Sequence, residues 1–392
     1  MQNINSDAIF KNRQIMNIHM ARENNDMLNI HIDGRMIYSS GIGRCLREII
    51  KEIIIIDKNV KIDIYGRKAD YHRYLQEYSI NQHEIIFREN NSPIYSFREQ
   101  IAGSINNLKK NKNDVFYYPH YNLPYLIQEN SVFTIHDFTQ FKFPEYFGTN
   151  KVKIARLILN NAVKKSKKII VVSKSTAEDF YSYFPGHIDK VEIIYNAVSK
   201  DFRPLSDEEK ELFIEKYKPG KYIMFVGNNK PHKNIAGLVK SFADIKKEFA
   251  DFKLLIISKD FKLEDISIEE KIKDDITIID SVSDDELVYY YNCASILVLP
   301  SFYEGFGLPV IEAMACGCPV VASNVSSMPE LCGEAAILID PYDADSITGG
   351  ISSLLGNKGL RERFINKGYE QVKSFKWEIT ARNYVKVFRN IK

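Results

Sequence analysis

The amino-acid sequence predicts an α/β protein built from two doubly wound, Rossmann-like domains whose parallel sheets face an interdomain cleft. The chain has 392 residues, more than a single hydrophobic core usually serves. From Leu28 onward, short β-rich runs, turns rich in Gly, Asp, Asn or Pro, and longer segments with helical apolar spacing alternate regularly, which indicates βαβ units. Several of the short runs are apolar on consecutive residues, as in parallel strands covered by helices on both faces.

The candidate strands form two series, separated by the charged stretch from Ser206 to Lys218. We predict strands at Leu28–Asp33, Val60–Tyr65, Glu84–Phe87, Val115–Tyr118, Val132–Ile135, Lys168–Val172 and Val191–Ile194, then at Tyr222–Val226, Leu254–Ile257, Ile276–Ile279, Ile296–Pro300, Val320–Ala322 and Ala336–Ile339. The polar, irregular residues 1–26 are interpreted as an N-terminal extension, residues 27–200 as the first domain and residues 201–374 as the second. Ligands of such sheets bind beyond the carboxyl ends of the strands, so motifs that directly follow a strand are the functional candidates.

The bulk composition excludes several classes of protein. Hydrophobic residues make up 45% of the chain and charged residues 27%, as in ordinary soluble globular proteins. The formal net charge is only +2, so no overall basic field is available for nucleic acid, and any anion site must be local. The 5 cysteines do not show zinc-finger spacing, and we expect neither a metal nor a disulfide role for them. The chain shows neither a signal-peptide pattern nor an apolar run of membrane-spanning length, which predicts a cytoplasmic protein.

The most informative stretch is SFYEGFGLPVIEAMACGCPV, which follows the strand ending at Pro300. Gly305 and Gly307 leave out side chains where the backbone approaches a ligand, and a helix then begins whose free amides form an anion or hydroxyl site. Glu304 lies before this helix and Glu312 within it. Carboxylates accept hydrogen bonds from sugar and ribose hydroxyls, and one near an anomeric carbon stabilises positive charge as the leaving group departs. For a single glutamate we would favour a structural explanation, with Glu304 as a turn residue and Glu312 as a solvated helix position, but the whole string favours a site.

A second motif, GNNKPHKN, follows the strand ending at Val226 and resembles a phosphate cradle. It combines a glycine turn with three side chains that can carry positive charge. Lys233 is the best candidate for a point charge on a diphosphate, and His232 and Lys230 are further candidates. A solvated basic turn before a helix explains this motif about equally well when it is considered alone.

Two motifs of the first domain also follow strands. In SSGIGRCLREII, Gly41 and Gly43 begin a helix whose N-terminus, with Arg44 beside it, can face phosphate. The third glycine of the dinucleotide fingerprint is missing, which argues against a dehydrogenase. In IHDFTQFKFPEYF, His136 and Asp137 stand at a strand end, where we expect a polar contact with donor or acceptor.

Two further patterns have simpler explanations. Asp343 and Asp345 match the Asp-x-Asp of metal-dependent transferases, but they precede a helical segment, so we interpret Asp343 as a helix cap and assign no metal. The segment from Lys151 to Lys168 is basic on one side and apolar on the other. That pattern is shared by membrane-surface helices and by outer helices of a Rossmann-like layer, and we favour the second.

Together these strings resemble the retaining GT-B glycosyltransferases called group 1 or family 4, especially bacterial mannosyltransferase-like members. The resemblance runs from about Leu28 to the C-terminus, and its specific element is the pair of glutamates separated by seven residues. The strings that carry it are IDGR, GIGR, IHDFTQFKFPEYF, VVSKSTAEDF, IIYNAV, FVGNNKPHKN, SVSDDEL and EGFGLPVIEAMACGCPVVAS. One departure is Asn228, which stands where many relatives have an arginine after the glycine of the phosphate loop.

The resemblance implies roles for individual residues. Glu304 and the backbone amides of Gly305, Phe306, Gly307 and Leu308 would bind the transferred sugar. Glu312 would bind the ribose, His136 would approach the reacting sugar, and Ser281 and Val282 would border the base. Asn228 belongs to the donor-binding loop, but because it replaces the arginine, binding of the diphosphate would rely more on Lys233, Arg44 and the backbone. The final segment, 375–392, would form a helix that returns to the first domain.

The predicted function is therefore transfer of a hexose, with mannose from GDP-mannose expected, onto a glycan or lipid-linked acceptor during surface polysaccharide assembly. No metal or other cofactor is expected, and peripheral contact with the inner face of a membrane is left open. Two alternatives remain at this point. One is a catalytically weak sugar-nucleotide-binding subunit that regulates a partner, and the other is a GT-B sugar-nucleotide epimerase.

Overall fold

The protein is described by a computed structural model that covers residues 27–81, 84–93, 114–266 and 268–391. The expected N-terminal extension, 1–26, lies outside the described residues. Within them the chain forms a 7-stranded and a 6-stranded sheet, and neighbouring strands of both sheets pair in parallel. The predicted fold class is thereby confirmed. We call the units around the two sheets the N-terminal and C-terminal domains.

The first sheet contains the strands of the N-terminal domain in the order β3-β2-β1-β4-β5-β6-β7. These strands are β1 (Leu28–Asp33), β2 (Val60–Gly66), β3 (Ile85–Glu89), β4 (Val115–Tyr118), β5 (Ser131–Ile135), β6 (Lys168–Val171) and β7 (Val191–Ile193). All residues of β4 and β5 are buried, which is the expected consequence of helices covering both faces of a parallel sheet. The strand order reverses direction between β1 and β4, so a crevice opens at their carboxyl ends.

The second sheet repeats the arrangement in the order β10-β9-β8-β11-β12-β13. Its strands are β8 (Lys221–Val226), β9 (Phe252–Ile257), β10 (Ile276–Ile279), β11 (Ile296–Leu299), β12 (Val320–Ser323) and β13 (Ala336–Ile339). Here the order reverses between β8 and β11, the two strands that the GNNKPHKN and EGFGL motifs follow. Each predicted strand is present, and its ends differ from the prediction by at most two residues.

The helices cover the sheets, and two of them begin at caps that can be recognised in the sequence. In chain order they are α1 (Ser40–Ile56), α2 (Lys68–Glu77), α3 (Thr139–Lys142), α4 (Thr149–Lys165), α5 (Lys174–Tyr183), α6 (Asp207–Tyr217), α7 (Ile235–Glu248), α8 (Asp284–Cys293), α9 (Leu308–Ala315), α10 (Met328–Cys332), α11 (Ala344–Gly356), α12 (Lys358–Val372) and α13 (Trp377–Asn390). Short 3₁₀ turns lie at Pro144–Tyr146, Pro185–Lys190, Pro231–Lys233, Leu263–Asp265 and Glu270–Asp275. Serine caps with a glutamate three residues into the helix, Ser206 with Glu209 and Ser283 with Glu286, begin α6 and α8.

The last helix lies against the N-terminal domain. The Tyr384 hydroxyl, on α13, is 3.1 Å from the Thr134 hydroxyl of β5, and the Arg389 guanidinium is 2.6 Å from the Asp57 carboxylate after α1. The Thr380 hydroxyl also donates to the carbonyl oxygen of Tyr195 at 2.8 Å. The chain therefore crosses between the domains twice, and this second crossing helps to set how the two sheets face each other.

Candidate functional site

The EGFGL turn lies where β11 meets α9, at the carboxyl edge of the second sheet. Gly307 has φ of 109°, in the region that favours glycine, and Pro309 occupies the first turn of α9, where its missing N–H costs nothing. Glu304 is 8% exposed. Its carboxylate accepts hydrogen bonds from the Lys233 ammonium at 2.6 and 2.8 Å and from the Ser301 hydroxyl at 2.8 Å. The two side chains for which the sequence predicted sugar and diphosphate binding are therefore in direct contact.

Lys233 is held in this position by the residue that follows it. Asn234 has φ of 55°, caps α7 by accepting from the amide of Gly237 at 3.2 Å, and donates to the carbonyl oxygens of Pro300 and Pro341 at 3.1 and 2.8 Å. The buried Asn234 amide thus ties the loop after β8 to the end of β11. The sequence reasoning missed Asn234, although an asparagine directly before an apolar helical segment is a signal for a helix cap.

Arg44 crosses from the N-terminal domain to Glu312 in the C-terminal domain. Its guanidinium is hydrogen-bonded to the carboxylates of Glu312 and Asp284, and the Tyr291 hydroxyl donates to the other oxygen of Glu312 at 3.1 Å. Glu312 is 2% exposed, and this burial raises the pKa of its carboxyl although the Arg44 charge acts in the opposite direction. For Arg44, burial opposes the charge, but the two carboxylates prevail and raise its pKa. The expected ribose-binding carboxylate is therefore at the interface between the domains.

The back of the EGFGL turn is fastened to the start of α10. The Ser326 hydroxyl accepts from the amide of Glu304 at 2.9 Å. The Ser327 hydroxyl lies 2.9 Å from the carbonyl oxygen of Glu304 and 2.7 Å from that of Phe306. The ring of Phe306 is buried, with its centroid 6.2 Å from that of Tyr195 and 6.0 Å from that of Phe375. Only the backbone of Phe306, and not its ring, can therefore contact a ligand in the cleft.

The front of the turn touches the N-terminal domain. A Cβ atom at Gly305 would lie 1.8 Å from the carbonyl oxygen of His136, which is far inside van der Waals contact. Glycine is needed here because two backbones from different domains approach each other. Leu308 lies near the GIGR motif, since a Cβ atom added at Gly41 would be 3.9 Å from the Cδ1 atom of Leu308. The EGFGL, GIGR and IHDF motifs are thus brought together.

His136 is arranged as a neutral imidazole. Its Nε2 is 2.9 Å from the carbonyl oxygen of Pro119, which can only accept, so Nε2 carries the proton. Burial lowers the pKa of His136 below its ordinary value, so Nδ1 is left as a hydrogen-bond acceptor near neutral pH. The Asp137 carboxylate is exposed, and it accepts from the amide of Thr139 at 2.9 Å at the start of α3.

The carboxyl end of β4 contributes polar groups that the sequence reasoning did not single out. Burial, and to a smaller extent His136, lower the pKa of His120 to about 4, and its Nδ1 accepts from the amide of Asn122 at 3.3 Å. Directly after the neighbouring strand β1, the guanidinium of Arg35 is bound to both carboxylate oxygens of Asp33, at 2.8 and 2.5 Å. The string PHYN directly after the strand Val115–Tyr118 was the available signal.

The sequence offered His232 as a candidate cation of the phosphate loop, but in the structure this side chain is neutral. It is 7% exposed, and burial followed by the Lys233 charge lowers its pKa to about 4, so it is neutral at pH 7. Its Nδ1 has no hydrogen-bond partner within the described part of the chain. Lys230 is exposed, with its ammonium 5.9 Å from the centre of the Phe147 ring. The positive charge of this loop that reaches Glu304 is that of Lys233.

The remaining predicted residues lie around this centre. Asn228 is exposed at the start of the loop after β8, and Ser281 and Val282 directly precede the Ser283 cap of α8, exposed and half-buried respectively. Gly43 is buried inside α1, and a Cβ there would lie 2.6 Å from the carbonyl oxygen of Ile37. The absence of a side chain at Gly43 therefore serves packing within the N-terminal domain.

Three negative findings concern metals, thiols and membranes. In the described residues no group of three or more His, Cys, Asp or Glu side chains is placed to hold a metal ion. Asp343 caps α11 by accepting from the amide of Asp345 at 3.0 Å, in agreement with its interpretation as a cap. Each of the cysteines in the described part of the chain carries a free thiol. Among the residues that the structure describes, no helix is both long and apolar enough to cross a bilayer.

Comparison with known families finds two models that match consecutive parts of the chain. The model of Glycosyltransferase Family 4 matches residues 39–202, and that of Glycosyl transferases group 1 matches residues 206–371. The first match covers most of the N-terminal domain. The second contains the GNNKPHKN and EGFGL motifs.

Individual proteins agree with the families. The chain is 32% identical over 289 residues to O-antigen chain mannosyltransferase B of Escherichia coli, covering 72% of this chain and 76% of that protein. It is 32% identical over 252 residues to O-antigen chain mannosyltransferase RfbU of Salmonella typhimurium, covering 63% of this chain and 66% of that protein. The solved structure of sucrose-phosphate synthase from Thermosynechococcus elongatus superposes with a TM-score of 0.74 at 16% identity, over 93% of this chain and 98% of that chain. At that identity the likeness concerns the fold alone.

Proposed function

Since the chain belongs to the group 1 glycosyl transferases, we propose that it is a retaining, metal-independent hexosyltransferase. The donor we propose is GDP-mannose, and the acceptor is a glycan or a lipid-linked oligosaccharide of surface polysaccharide assembly. The observation that carries the proposal is the charge arrangement around α9. Glu304 before the helix and Glu312 within it each face one cation, Lys233 and Arg44 respectively.

A nucleotide-sugar donor fits this arrangement group by group. The diphosphate can replace a carboxylate as the partner of Lys233, and the free amides at the start of α9 supply a second, uncharged anion contact. Glu304 is then available to accept hydrogen bonds from the transferred sugar. Glu312, next to Tyr291, can accept from the ribose hydroxyls. Fixed cations and backbone amides can thus stabilise the negative charge of the donor diphosphate, which is why we propose that no metal is required.

The proposed retention of configuration is supported by the charges around Glu304. Positive charge develops at the anomeric carbon as the diphosphate leaves, and the Glu304 carboxylate can stabilise it. The departing diphosphate, held by Lys233, can accept the proton of the acceptor hydroxyl, which then attacks from the same face. His136, with Nδ1 unprotonated, can accept a hydrogen bond from a hydroxyl of the sugar or the acceptor.

Mannose is supported by the relatives. Both curated relatives are named O-antigen chain mannosyltransferases, which supports mannose as the transferred sugar and surface polysaccharide as the product. The choice of guanine as the base rests on the resemblance described above. Ser281 and Val282, which precede α8, are the residues proposed to border that base.

The deciding experiment incubates the purified protein with a panel of nucleotide sugars, with and without lipid-linked glycans, and with and without EDTA. We expect transfer from GDP-mannose that survives EDTA, and NMR of the product showing the α configuration of the donor. Transfer only from a UDP-sugar, loss of activity with EDTA, or a β-linked product would each overturn the corresponding part. Interconversion of free donors would indicate the epimerase, and donor binding without any turnover would indicate the regulatory subunit.

We also propose that the protein sits in the cytoplasm and contacts the inner face of a membrane. The helix α4 packs on the N-terminal domain, as the sequence favoured, and we propose that its outward side makes this contact in addition. Ala155 and Leu159 of this helix are buried, whereas Ile154 and Leu157 are 58% and 69% exposed. No acidic residue occurs between Lys151 and Ala177. Exposed aliphatic side chains among lysines suit the boundary of an anionic lipid surface, where a lipid-linked acceptor would be presented.

A further inference from the structure

The carbonyl group of Gly305 is bound by the N-terminal domain. The hydroxyls of Ser173 and Thr176 lie 2.7 and 3.1 Å from the carbonyl oxygen of Gly305, the residue directly after Glu304. The Ser173 hydroxyl also accepts from the amide of Thr176 at 3.0 Å and so caps α5. The position of the first turn of α5 therefore fixes the position of the peptide that follows Glu304.

The first turn of α5 is in turn bound by a carboxylate of the C-terminal domain. One oxygen of Glu330, on α10, accepts from the amide of Ser175 at 3.0 Å, and the other accepts from the amide of Lys174 at 3.0 Å. The Tyr195 hydroxyl donates to Glu330 at 2.8 Å. Burial and the Glu330 charge raise the pKa of Tyr195, so this hydroxyl stays protonated and remains a donor. A carboxylate at a helix N-terminus is favoured both by the free amides and by the helix dipole.

These contacts form a closed circuit across the domain interface. Glu330 holds the start of α5, Ser173 and Thr176 at that start hold Gly305, and Ser327 at the beginning of α10 holds the carbonyl oxygens of Glu304 and Phe306. Glu330 and Ser327 belong to the same short segment. Residues of both domains thus hydrogen-bond the EGFGL turn. This set of contacts is complete only when Glu330 is bound to the first turn of α5.

We propose that Glu330 is a positioning residue that acts through α5 to hold Gly305, and with it the Glu304 carboxylate, in the geometry needed for transfer. The inference rests on the proposed function for its catalytic consequence. The circuit contacts the backbone around Glu304 and makes no hydrogen bond with Lys233 itself, which is anchored separately through the loop after β8. Its loss therefore reduces turnover and the affinity for the intact donor, while the affinity for the nucleotide diphosphate alone stays close to that of the wild type.

The test compares Glu330→Ala and Glu330→Gln with Glu334→Gln. Glu334 follows on the same segment, its side chain is 89% exposed, and it pairs with Lys367 at 2.7 Å. Glu330→Ala should lower kcat about tenfold or more, since two charge-assisted hydrogen bonds to α5 are lost. Glu330→Gln keeps one acceptor oxygen and should lie between Glu330→Ala and the wild type, and Glu334→Gln should match the wild type. Calorimetry should give a Kd for GDP within about twofold of the wild type in all three.

A second readout does not depend on the reaction. Hydrogen–deuterium exchange should increase in the peptides that contain the first turn of α5 and residues 301–308 for Glu330→Ala, and stay unchanged for Glu334→Gln. If the wild type transfers no sugar from any donor, the proposed function fails, and the exchange data alone decide whether Glu330 holds the turn. Unchanged exchange in residues 301–308, or an equal loss of affinity for GDP and the intact donor, would overturn the proposal.

Discussion

The guanidinium of Arg44, in the first turns of α1, is paired with the buried carboxylate of Glu312 in the other domain, 268 residues further along the chain. Arg44 is proposed to help neutralise the phosphates of the donor, and Glu312 is proposed to bind its ribose. A donor entering the cleft therefore meets carboxylates and cations that already neutralise each other. Binding exchanges these contacts for contacts with the donor, so removal of one partner affects the other.

Glu312→Ala should weaken the affinity for both GDP and the intact donor by similar factors, about tenfold or more, because the ribose common to both loses a charged acceptor. Calorimetry with the two ligands measures this directly. Asp284→Asn is the matched comparison, since it removes the other carboxylate bound to Arg44 and leaves Glu312 in place. An unchanged affinity in Glu312→Ala would mean that this glutamate serves only the interface.

Glu304→Gln should reduce transfer by on the order of a hundredfold or more while GDP affinity is retained, because the substitution removes, with little change of volume, the negative charge that we propose stabilises the anomeric carbon. Initial rates with the active donor, together with the thermal midpoint of unfolding, provide the measurement. Near-normal turnover in a folded Glu304→Gln protein would refute the catalytic role.

Lys233→Ala should weaken the binding of GDP as well as of the intact donor, because the ammonium answers the diphosphate that they share. It also leaves the Glu304 carboxylate, 8% exposed, without its cation, so a loss of stability is expected in addition. Lys240→Ala, an exposed position on α7, controls for the general loss of one positive charge. If Lys233→Ala bound GDP as well as Lys240→Ala does, the phosphate role would pass to Arg44.

The free energy of unfolding should fall as the pH is lowered from about 6.5 to about 4, in part because of His232. Its pKa is lowered from 6.5 to about 4 in the folded chain, so between these values the unfolded chain binds the proton and the folded chain does not. Protons therefore favour unfolding in this window. Denaturant titrations at several pH values should show a shallower dependence for His232→Gln. His72→Gln, at an exposed position on α2, should keep the slope of the wild type, and equal slopes in both variants would contradict the assignment.

Leu157→Gln combined with Lys164→Glu should reduce co-sedimentation with vesicles that contain anionic lipid, because the pair removes an exposed aliphatic group and reverses one charge on α4. The control is Leu212→Gln, since Leu212 on α6 is 68% exposed and belongs to an acidic helix. Binding that is unaffected by the α4 substitutions, or wild-type protein that stays in solution, would remove the membrane part of the proposal.

Much of the fold was predictable because its signals are local. The consecutive apolar residues of β11 and of the second half of β9 are typical of buried parallel strands, and Gly307 with Pro309 marks the turn into α9. The cap at Asp343 was predictable for the same reason, since a helix cap involves neighbours in sequence. The neutrality of His232 was not predictable, because its pKa depends on burial by residues from distant parts of the chain.

Local patterns in the sequence were enough to predict two doubly wound domains, each strand to within two residues, and the two glutamates and one lysine most worth testing. The contacts between distant groups could be read only from the folded chain: Lys233 with Glu304, Arg44 with Glu312, and Glu330 with the start of α5. The difference lies in the range over which each signal acts. Hydrophobic periodicity and turn residues act over a few positions, whereas these contacts depend on how distant parts of the chain pack. For Lys233 and Glu304 that packing lies within one domain, and for the other two contacts it lies between the domains, so no short stretch of sequence encodes the distance.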